Sequence, residues 1–159
     1  HEAQIAFKIN NLVDKELIDD LYRASQAGIK IRGIVRGMCG LRPGIKGLSE
    51  NIELISIVDR FLEHPRVMIF GGGGNRKVYI SSADWMTRNM DNRIEVGAPI
   101  YDETLQQRIV DIMEIQFRDT LKARQIDKDQ LNQYVKRGNR KKLRSQEEIY
   151  TYLKQLEQK

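Results

Sequence analysis

His64 is the residue of this sequence with the widest chemical repertoire, because it is the only histidine besides His1. A histidine changes charge near neutral pH, so it can serve as an acid, a base or a nucleophile toward phosphorus. A solitary histidine is more often structural, but its neighbours here favour a functional role. Glu63 and Arg66 flank it, and Pro65 fixes the backbone beside it. The sequence therefore offers one internal histidine for proton or phosphoryl transfer.

Arg36 is the second candidate, since it follows an apolar, strand-like run directly and precedes Gly37. Such a placement can leave a guanidinium free to bind phosphate through two parallel hydrogen bonds. Four glycines and Pro43 make 36–47 a loop, and loops that follow strands commonly carry function. Arg36 alone does not identify its ligand.

A run of four glycines, 71–74, suggests a loop that binds phosphate through backbone amides. A P-loop requires Gly-Lys-Ser/Thr leading into a helix, whereas Asn75-Arg76-Lys77 leads into a strand-like segment. The pattern therefore predicts a β-hairpin turn and not a nucleotide-binding loop.

The segment 81–95 is denser in polar and charged groups than a simple connection requires. Its serines, together with Asp84, Asn89 and Glu95, could position a phosphoryl group or a neighbouring histidine. A capped turn with surface ion pairs explains the same composition equally well. The sequence leaves both interpretations open.

The hydrophobic pattern predicts the elements that hold these residues. Alternation over 4–10, helical spacing from Asp14 to Gly28 and an apolar run over 29–35 predict a βαβ unit. We also expect strands at 66–70, 77–81 and 93–100, and helices at 49–64, at 102–121 and from 146 toward the end. Ser49 and Ser145 are the expected caps of two of these helices. The prediction is an α/β fold with a mixed β-sheet flanked by helices.

Length and composition favour one globular domain over 1–159, with an α/β core at 1–135 and a basic segment plus terminal helix at 136–159. The chain has 159 residues, enough to bury roughly 68–70% of its unfolded surface in one core. No segment approaches the ~20 consecutive apolar residues of a membrane span, and we expect no signal peptide. A single cysteine, Cys39, cannot form an internal disulfide, so a cytoplasmic setting is expected.

Positive charge is concentrated near the C-terminus. The formal net charge is +5, of which residues 118–159 carry +6 and the remainder −1. Six cations and no acid lie within 136–144, which favours a polyanion contact about as strongly as a solvated surface. No aromatic residue lies in that run to stack bases, so we expect no nucleic acid partner.

Several motifs in a fixed order resemble one known family. They are Leu12-Val13-Asp14, Ile34-Val35-Arg36-Gly37-Met38-Cys39, the segments 49–52, 56–64 and 81–89, and Arg137-Gly138-Asn139-Arg140. This set resembles the C-terminal domain of bacterial polyphosphate kinase and covers nearly the whole chain. By motif match, Arg36 and His64 are expected to contact the phosphates of ATP, with His64 as the catalytic residue.

The resemblance implies an enzyme that reversibly transfers the terminal phosphate of ATP to inorganic polyphosphate through a phosphohistidine, with Mg²⁺. In that family the principal phosphorylated histidine lies in the preceding domain, so this chain is expected to need the upstream domains for catalysis. ATP or ADP and polyphosphate are the expected ligands, and Mg²⁺ ligands are expected outside this chain. The full-length enzyme is expected to be a homo-oligomer, cytoplasmic or peripheral at the inner membrane. His64 as acid, as ligand and as secondary phosphoryl acceptor all stay open.

The same family domain resembles the phospholipase D fold, in which His-x-Lys on a strand is followed by Gly-Ser and Asn. Here His64-Pro65-Arg66 carries arginine in place of lysine, Ser81-Ser82 stands near the Gly-Ser position, and Gly71 occupies the place of an aspartate. These departures weaken a phosphodiesterase interpretation. Two alternatives therefore accompany the kinase: a phospholipase D-like phosphodiesterase, and a non-catalytic polyanion-binding or assembly module.

Overall fold

The structure is a computed structural model that describes residues 3–71 and 74–158. Within these residues, seven strands form one sheet: β1 (Gln4–Ile9), β2 (Lys30–Val35), β3 (Ile52–Ile57), β4 (Val67–Gly71), β5 (Lys77–Ser81), β6 (Gly97–Ile100) and β7 (Ala123–Ile126). The helices of the same residues are α1 (Lys15–Gln26), α2 (Thr87–Asp91), α3 (Glu103–Phe117) and α4 (Ser145–Glu157).

The sheet is mixed. Its strands lie in the order β6-β5-β4-β1-β2-β3-β7, with β1, β2 and β3 parallel and the other neighbouring pairs antiparallel. Leu21 of α1 packs with Phe7 and Ile31 on one face, and Met113 of α3 packs with Ile34 and Ile69 on the other. The expected α/β fold, a mixed sheet flanked by helices, is confirmed.

The predicted βαβ unit is present at the N-terminus. The Asp14 carboxylate accepts a hydrogen bond from the Leu17 amide at 3.0 Å and so caps α1. Gly28 adopts a left-handed conformation, φ +85°, just after the helix ends. The chain then returns parallel to β1, with Phe7 opposite Gly33 and Ile9 opposite Val35.

The helix expected over 49–64 is wrong, because Ile52–Ile57 forms β3 beside β2. Ser49 does not cap a helix: its hydroxyl accepts from the Ile45 amide and donates to the Arg42 carbonyl, which closes a turn. Pairing with a buried parallel strand therefore outweighs the local capping signal. The segment that carries His64 is consequently irregular backbone between β3 and β4.

Other boundaries also differ from the prediction. The hairpin between β4 and β5 is confirmed, although Gly72 and Gly73 lie outside the described residues. The strand expected at 93–100 spans only Gly97–Ile100. The Val96 amide before it donates to the Ser82 hydroxyl and not to a backbone carbonyl of the neighbouring strand. The sequence interpretation missed both α2 and the edge strand β7, which are only five and four residues long.

The two long C-terminal helices begin as expected, but only one begins with the expected cap. Asp102 caps α3 by accepting from the Leu105 amide at 2.9 Å. The Ser145 capping box is wrong, because no side chain of its own terminus caps α4. The Ser145 amide instead donates to the buried carboxylate of Asp119, at 2.7 Å.

Among the residues that the structure describes, no helix is both long enough and apolar enough to cross a membrane.

Candidate active site

The strand directions bring the predicted chemical residues to one edge of the sheet. The parallel strands β1, β2 and β3 end there, and antiparallel pairing places the start of β4, the end of β5 and the start of β6 at the same edge. Asn10, Arg36, His64, Arg66 and Asp84 follow or precede these strand ends. Ligands of open α/β sheets commonly bind at the carboxyl ends of parallel strands.

Arg36 and His64, the two predicted site residues, are in contact. A terminal nitrogen of the Arg36 guanidinium lies 3.2 Å from Nδ1 of His64. His64 is exposed and Arg36 is partly exposed, so both are open to a ligand. The structure therefore brings together two residues that are 28 positions apart in the chain.

Arg36 is fixed by neutral partners. Its Nε donates to the side-chain oxygen of Asn10 at 2.7 Å, and one terminal nitrogen donates to the backbone carbonyl of Glu63. Among the described residues, no carboxylate pairs with Arg36. Its charge is thus held at the sheet edge without an ion-pair partner of its own, which leaves it available to an anion.

Arg66 contacts the opposite side of the imidazole. One of its terminal nitrogens lies 2.6 Å from Nε2 of His64 and 3.2 Å from Oδ2 of Asp84. Asp84 is 3% exposed, and its other oxygen accepts from the backbone amides of Asn10 and Asn11. Burial acts to raise the pKa of Asp84, but the bonds from Arg66 and the two amides outweigh it and hold that pKa below its ordinary value.

A buried lysine anchors the residue before His64. The Lys8 ammonium donates to the carboxylate of Glu63 and, at 2.9 Å, to the side-chain oxygen of Gln116 on α3. Burial lowers the pKa of Lys8, and the bond to Glu63 opposes that shift. The irregular segment carrying His64 is therefore tied both to the sheet and to α3.

His64 is disposed to be neutral. Desolvation lowers its pKa from 6.5, and the charges of Arg66 and Arg36 lower it further, while Asp84 acts in the opposite direction. A neutral imidazole keeps one lone pair, which an acceptor of a proton or of a phosphoryl group needs.

The serines of 81–95 make their bonds within that segment. The Ser82 hydroxyl donates to Glu95, and the Ser81 hydroxyl accepts from the Ala83 amide at 3.0 Å. Asn89 also donates to Glu95, at 2.6 Å. Asp84 is the member of this segment that reaches the histidine, and it does so through Arg66.

Neither Asn10 nor Asp84 could be singled out from sequence as a site residue, although Asp84 was one of several candidates in the segment 81–95. Asn10 orients Arg36, and Asp84 orients Arg66, across 26 and 18 positions of the chain respectively. The sequence signal for Asp84 was the polar density of its segment, whereas Asn10 gave none beyond its position after β1.

The basic run 136–144 is linked to the candidate site by its last residue, Arg144. Arg144 forms an ion pair with Asp59, in the segment that leads to His64, at 2.7 Å. Arg137 and Arg140 donate to backbone carbonyls of their own turn. The run therefore contacts the segment beside the site through Arg144, while Arg137 and Arg140 stabilise their own turn.

A separate groove of about 930 Å³ lies between the sheet and α3. Gln4, Gly71 and Lys77 line it, and these residues stand at the opposite ends of their strands from the histidine. The groove and the candidate site are thus at different edges of the sheet.

Comparison with known proteins gives consistent matches. The family described as polyphosphate kinase C-terminal domain 2 matches residues 1–146. The polyphosphate kinase of Vibrio cholerae serotype O1 is 65% identical over 156 residues, which is 98% of this chain and 22% of that protein. The polyphosphate kinase of Escherichia coli strain K12 is 60% identical over 154 residues, 97% of this chain and 22% of that protein. The chain thus spans about a fifth of the length of these relatives.

Comparison with solved structures also finds a polyphosphate kinase. The crystal structure of polyphosphate kinase from Porphyromonas gingivalis superposes with a TM-score of 0.96 at 47% identity, covering 99% of this chain and 24% of that one. NucT from Helicobacter pylori superposes with a TM-score of 0.55 at 13% identity over 70% of this chain and 76% of its own, a likeness of fold alone. The expected phospholipase D-like α/β fold is confirmed.

Proposed function

Since this chain belongs to the polyphosphate kinase C-terminal domain 2 family, we propose that it supplies ATP-phosphate contacts to an enzyme that reversibly transfers the terminal phosphate of ATP to inorganic polyphosphate. The observation that carries this proposal is the pairing of Arg36 with His64. Arg36 offers a positive charge with neutral partners, and His64 presents a neutral imidazole 3.2 Å away. Phosphoryl transfer depends mainly on charge stabilisation and placement, which this pair provides.

The covalent step of the proposal requires the rest of the enzyme. The chain spans about a fifth of the length of its relatives, and the resemblance to the family implies that the principal phosphohistidine lies in a preceding domain. His64 then serves beside that residue as acid, phosphate ligand or secondary acceptor.

The residues present do not fit Mg²⁺. The two carboxylates nearest His64 are each bonded to a cation, Glu63 to Lys8 and Asp84 to Arg66. Within 3–71 and 74–158, no group of three or more acidic, histidine or cysteine side chains could hold a metal ion, and the one or two free carboxylates that Mg²⁺ uses beside a phosphate are not offered by Glu63 or Asp84. The proposal therefore assigns Mg²⁺ to no residue of this chain.

An exposed apolar rim supports closure of the site by another domain of the same enzyme. Met38, Phe61, Leu62 and Ile94 all lie on connections at the site's edge of the sheet, and Leu62 is 84% exposed. Apolar side chains gathered around a polar site are typical of an interface. Closure there would exclude water from the transferring phosphate.

Polyphosphate and the cell compartment complete the proposal. The lysines of the run 136–144 suit inorganic polyphosphate, which is a polyanion. The family resemblance further implies that the full-length enzyme is a homo-oligomer, cytoplasmic or peripheral at the inner membrane. Lys141→Glu with Lys142→Glu should weaken polyphosphate binding by at least about tenfold, with a reduced salt dependence. Unchanged polyphosphate affinity would remove this run from the proposal.

The test of the main proposal is ATP affinity, measured by calorimetry on the chain and on two single variants. Arg36→Gln and His64→Gln should each weaken ATP binding, Arg36→Gln by about tenfold or more because it removes a charge-assisted contact. Arg23→Gln, an exposed arginine of α1, is the matched control and should bind as the parent does.

Two outcomes would overturn the proposal. If ATP binds equally to the parent, Arg36→Gln and His64→Gln, the site lies elsewhere. If the chain alone releases product from a phosphodiester, the phospholipase D-like alternative replaces the kinase.

A further inference from the structure

A closed ring of contacts passes through the imidazole of His64. Asp84 Oδ1 accepts from the Asn10 amide at 2.8 Å, and the Asn10 side chain accepts from Arg36 Nε at 2.7 Å. Arg36 reaches Nδ1 of His64 at 3.2 Å, and Arg66 reaches Nε2 at 2.6 Å. Arg66 then returns to Asp84 Oδ2 at 3.2 Å, which closes the ring.

The contacts of the two arginines with the imidazole of His64 cannot both be hydrogen bonds. A guanidinium only donates hydrogen bonds, and a neutral imidazole has one lone pair and one N–H. Arg36 and Arg66 therefore cannot both donate to His64 while it is neutral, and neither can donate to it once it is protonated. One of the two contacts must be a pair of donors facing each other.

Both arginines are anchored by other partners, so the two distances to the imidazole decide which contact is the hydrogen bond. The Arg66 contact is the shorter, 2.6 Å against 3.2 Å, and two donors that face each other would repel at so close an approach. Arg66 is also held by the buried carboxylate of Asp84, with only 16% of its side chain exposed. We infer that Asp84 and Arg66 are positioning residues that hold His64 in one neutral tautomer, with the lone pair on Nε2 and the proton on Nδ1.

The assignment locates where an anion binds. With a proton on Nδ1, the Arg36 guanidinium and the imidazole N–H face each other as two donors. A phosphate oxygen that entered between them would accept from both, which removes the unfavourable contact. This step rests on the proposed function, and it names the ligand atom of the site: a non-bridging phosphate oxygen held by Arg36 and His64 Nδ1–H.

The test is the nitrogen NMR spectrum of His64 in a His1→Gln background, where it is the sole histidine. At a pH about two units above the ordinary imidazole pKa, the ring is neutral and the shifts of its two nitrogens report the tautomer. We expect the Nδ1–H form to exceed the other by about tenfold or more, as a charged donor on Nε2 requires.

Variants test the positioning roles separately from folding. Arg66→Met should return His64 to the free-imidazole mixture, in which Nε2–H predominates, and Asp84→Asn should shift it in the same direction. Asp91→Asn, which removes a carboxylate from α2 outside the ring of contacts, is the control and should leave the tautomer unchanged. Amide spectra establish that each variant is folded.

The parent spectrum decides the inference even if a variant fails to fold. Predominance of Nε2–H in the parent, or the same tautomer ratio in the parent and in folded Arg66→Met, would overturn it. ATP affinity is measured independently, so a correct tautomer without ATP binding would refute the proposed function and leave the positioning roles standing.

Discussion

The Lys8 ammonium bonds the carboxylate of Glu63, 55 positions later in the chain, and so fixes the residue that precedes His64. Only 5% of the Lys8 side chain is exposed, and Gln116 of α3 occupies a second position on the same ammonium. Because the Glu63 backbone carbonyl also accepts from Arg36, the Lys8–Glu63 pair helps to orient both candidate site residues.

Lys8→Met is expected to destabilise the fold by about 2 kcal/mol, because it leaves the partly buried Glu63 carboxylate without its partner. Urea unfolding measures the change. Lys8→Met combined with Glu63→Met should cost less than the sum of the two single variants, since no charge is then left unpaired. Lys15→Met, which breaks only an exposed pair with Asp19, is the control and should change stability by less than about 0.5 kcal/mol. An additive double variant would contradict a direct Lys8–Glu63 coupling.

Asp119 should make stability depend on acid pH. Its carboxylate accepts from four backbone amides, those of Leu121, Lys122, Ala123 and Ser145. Burial acts to raise its pKa, but these bonds outweigh burial and hold the pKa below 3.8. The contribution is therefore fully present above the unfolded-state pKa and is lost as the pH falls through the lower folded-state value.

Asp119→Asn tests that dependence. At neutral pH it should cost about 2 kcal/mol of unfolding free energy, and the gap between parent and variant should narrow as the pH falls below about 4. Asp129→Asn, an exposed carboxylate, controls for loss of charge. A gap that stays constant between neutral pH and the acid transition would show that the ionised carboxylate is not what stabilises the turn.

His64 should titrate below pH 6.5, because desolvation and the two neighbouring arginines disfavour its charged form. Proton NMR of the imidazole against pH gives the midpoint. Arg36→Gln removes one positive charge and should move the midpoint upward, whereas Arg23→Gln on α1 should not. A midpoint at or above 6.5 in the parent would refute the electrostatic description of the site.

The sequence was sufficient where local signals and tertiary structure agree. The strand at Gln4–Ile9, the Asp14 cap and the β4–β5 hairpin all follow from alternation, capping and turn chemistry. It failed at Ile52–Ile57, where Ser49 and Glu50 resemble a helix start while pairing with β2 decides the structure. It also missed Ala123–Ile126, because four residues at a sheet edge carry too short a pattern.

The candidate site was likewise predictable from the sequence only in part. Arg36 and His64 were found from their residue types, their positions and the family resemblance. Their contact, and the roles of Asn10 and Asp84, depend on strand order, since β4 lies between β1 and β5 and brings distant strand ends together. No periodicity in the chain encodes that order.

The most direct measurement is an ATP titration of the ¹⁵N-labelled chain, followed through its backbone amides. We expect shift changes centred on Asn10, Arg36, His64 and Asp84, with little change at Lys77 and Tyr79 in the groove beside α3. In Arg36→Gln the changes at the first group should require an ATP concentration at least about tenfold higher. Changes confined to the groove, with Arg36 and His64 unaffected, would contradict the central claim that these two residues bind the phosphates.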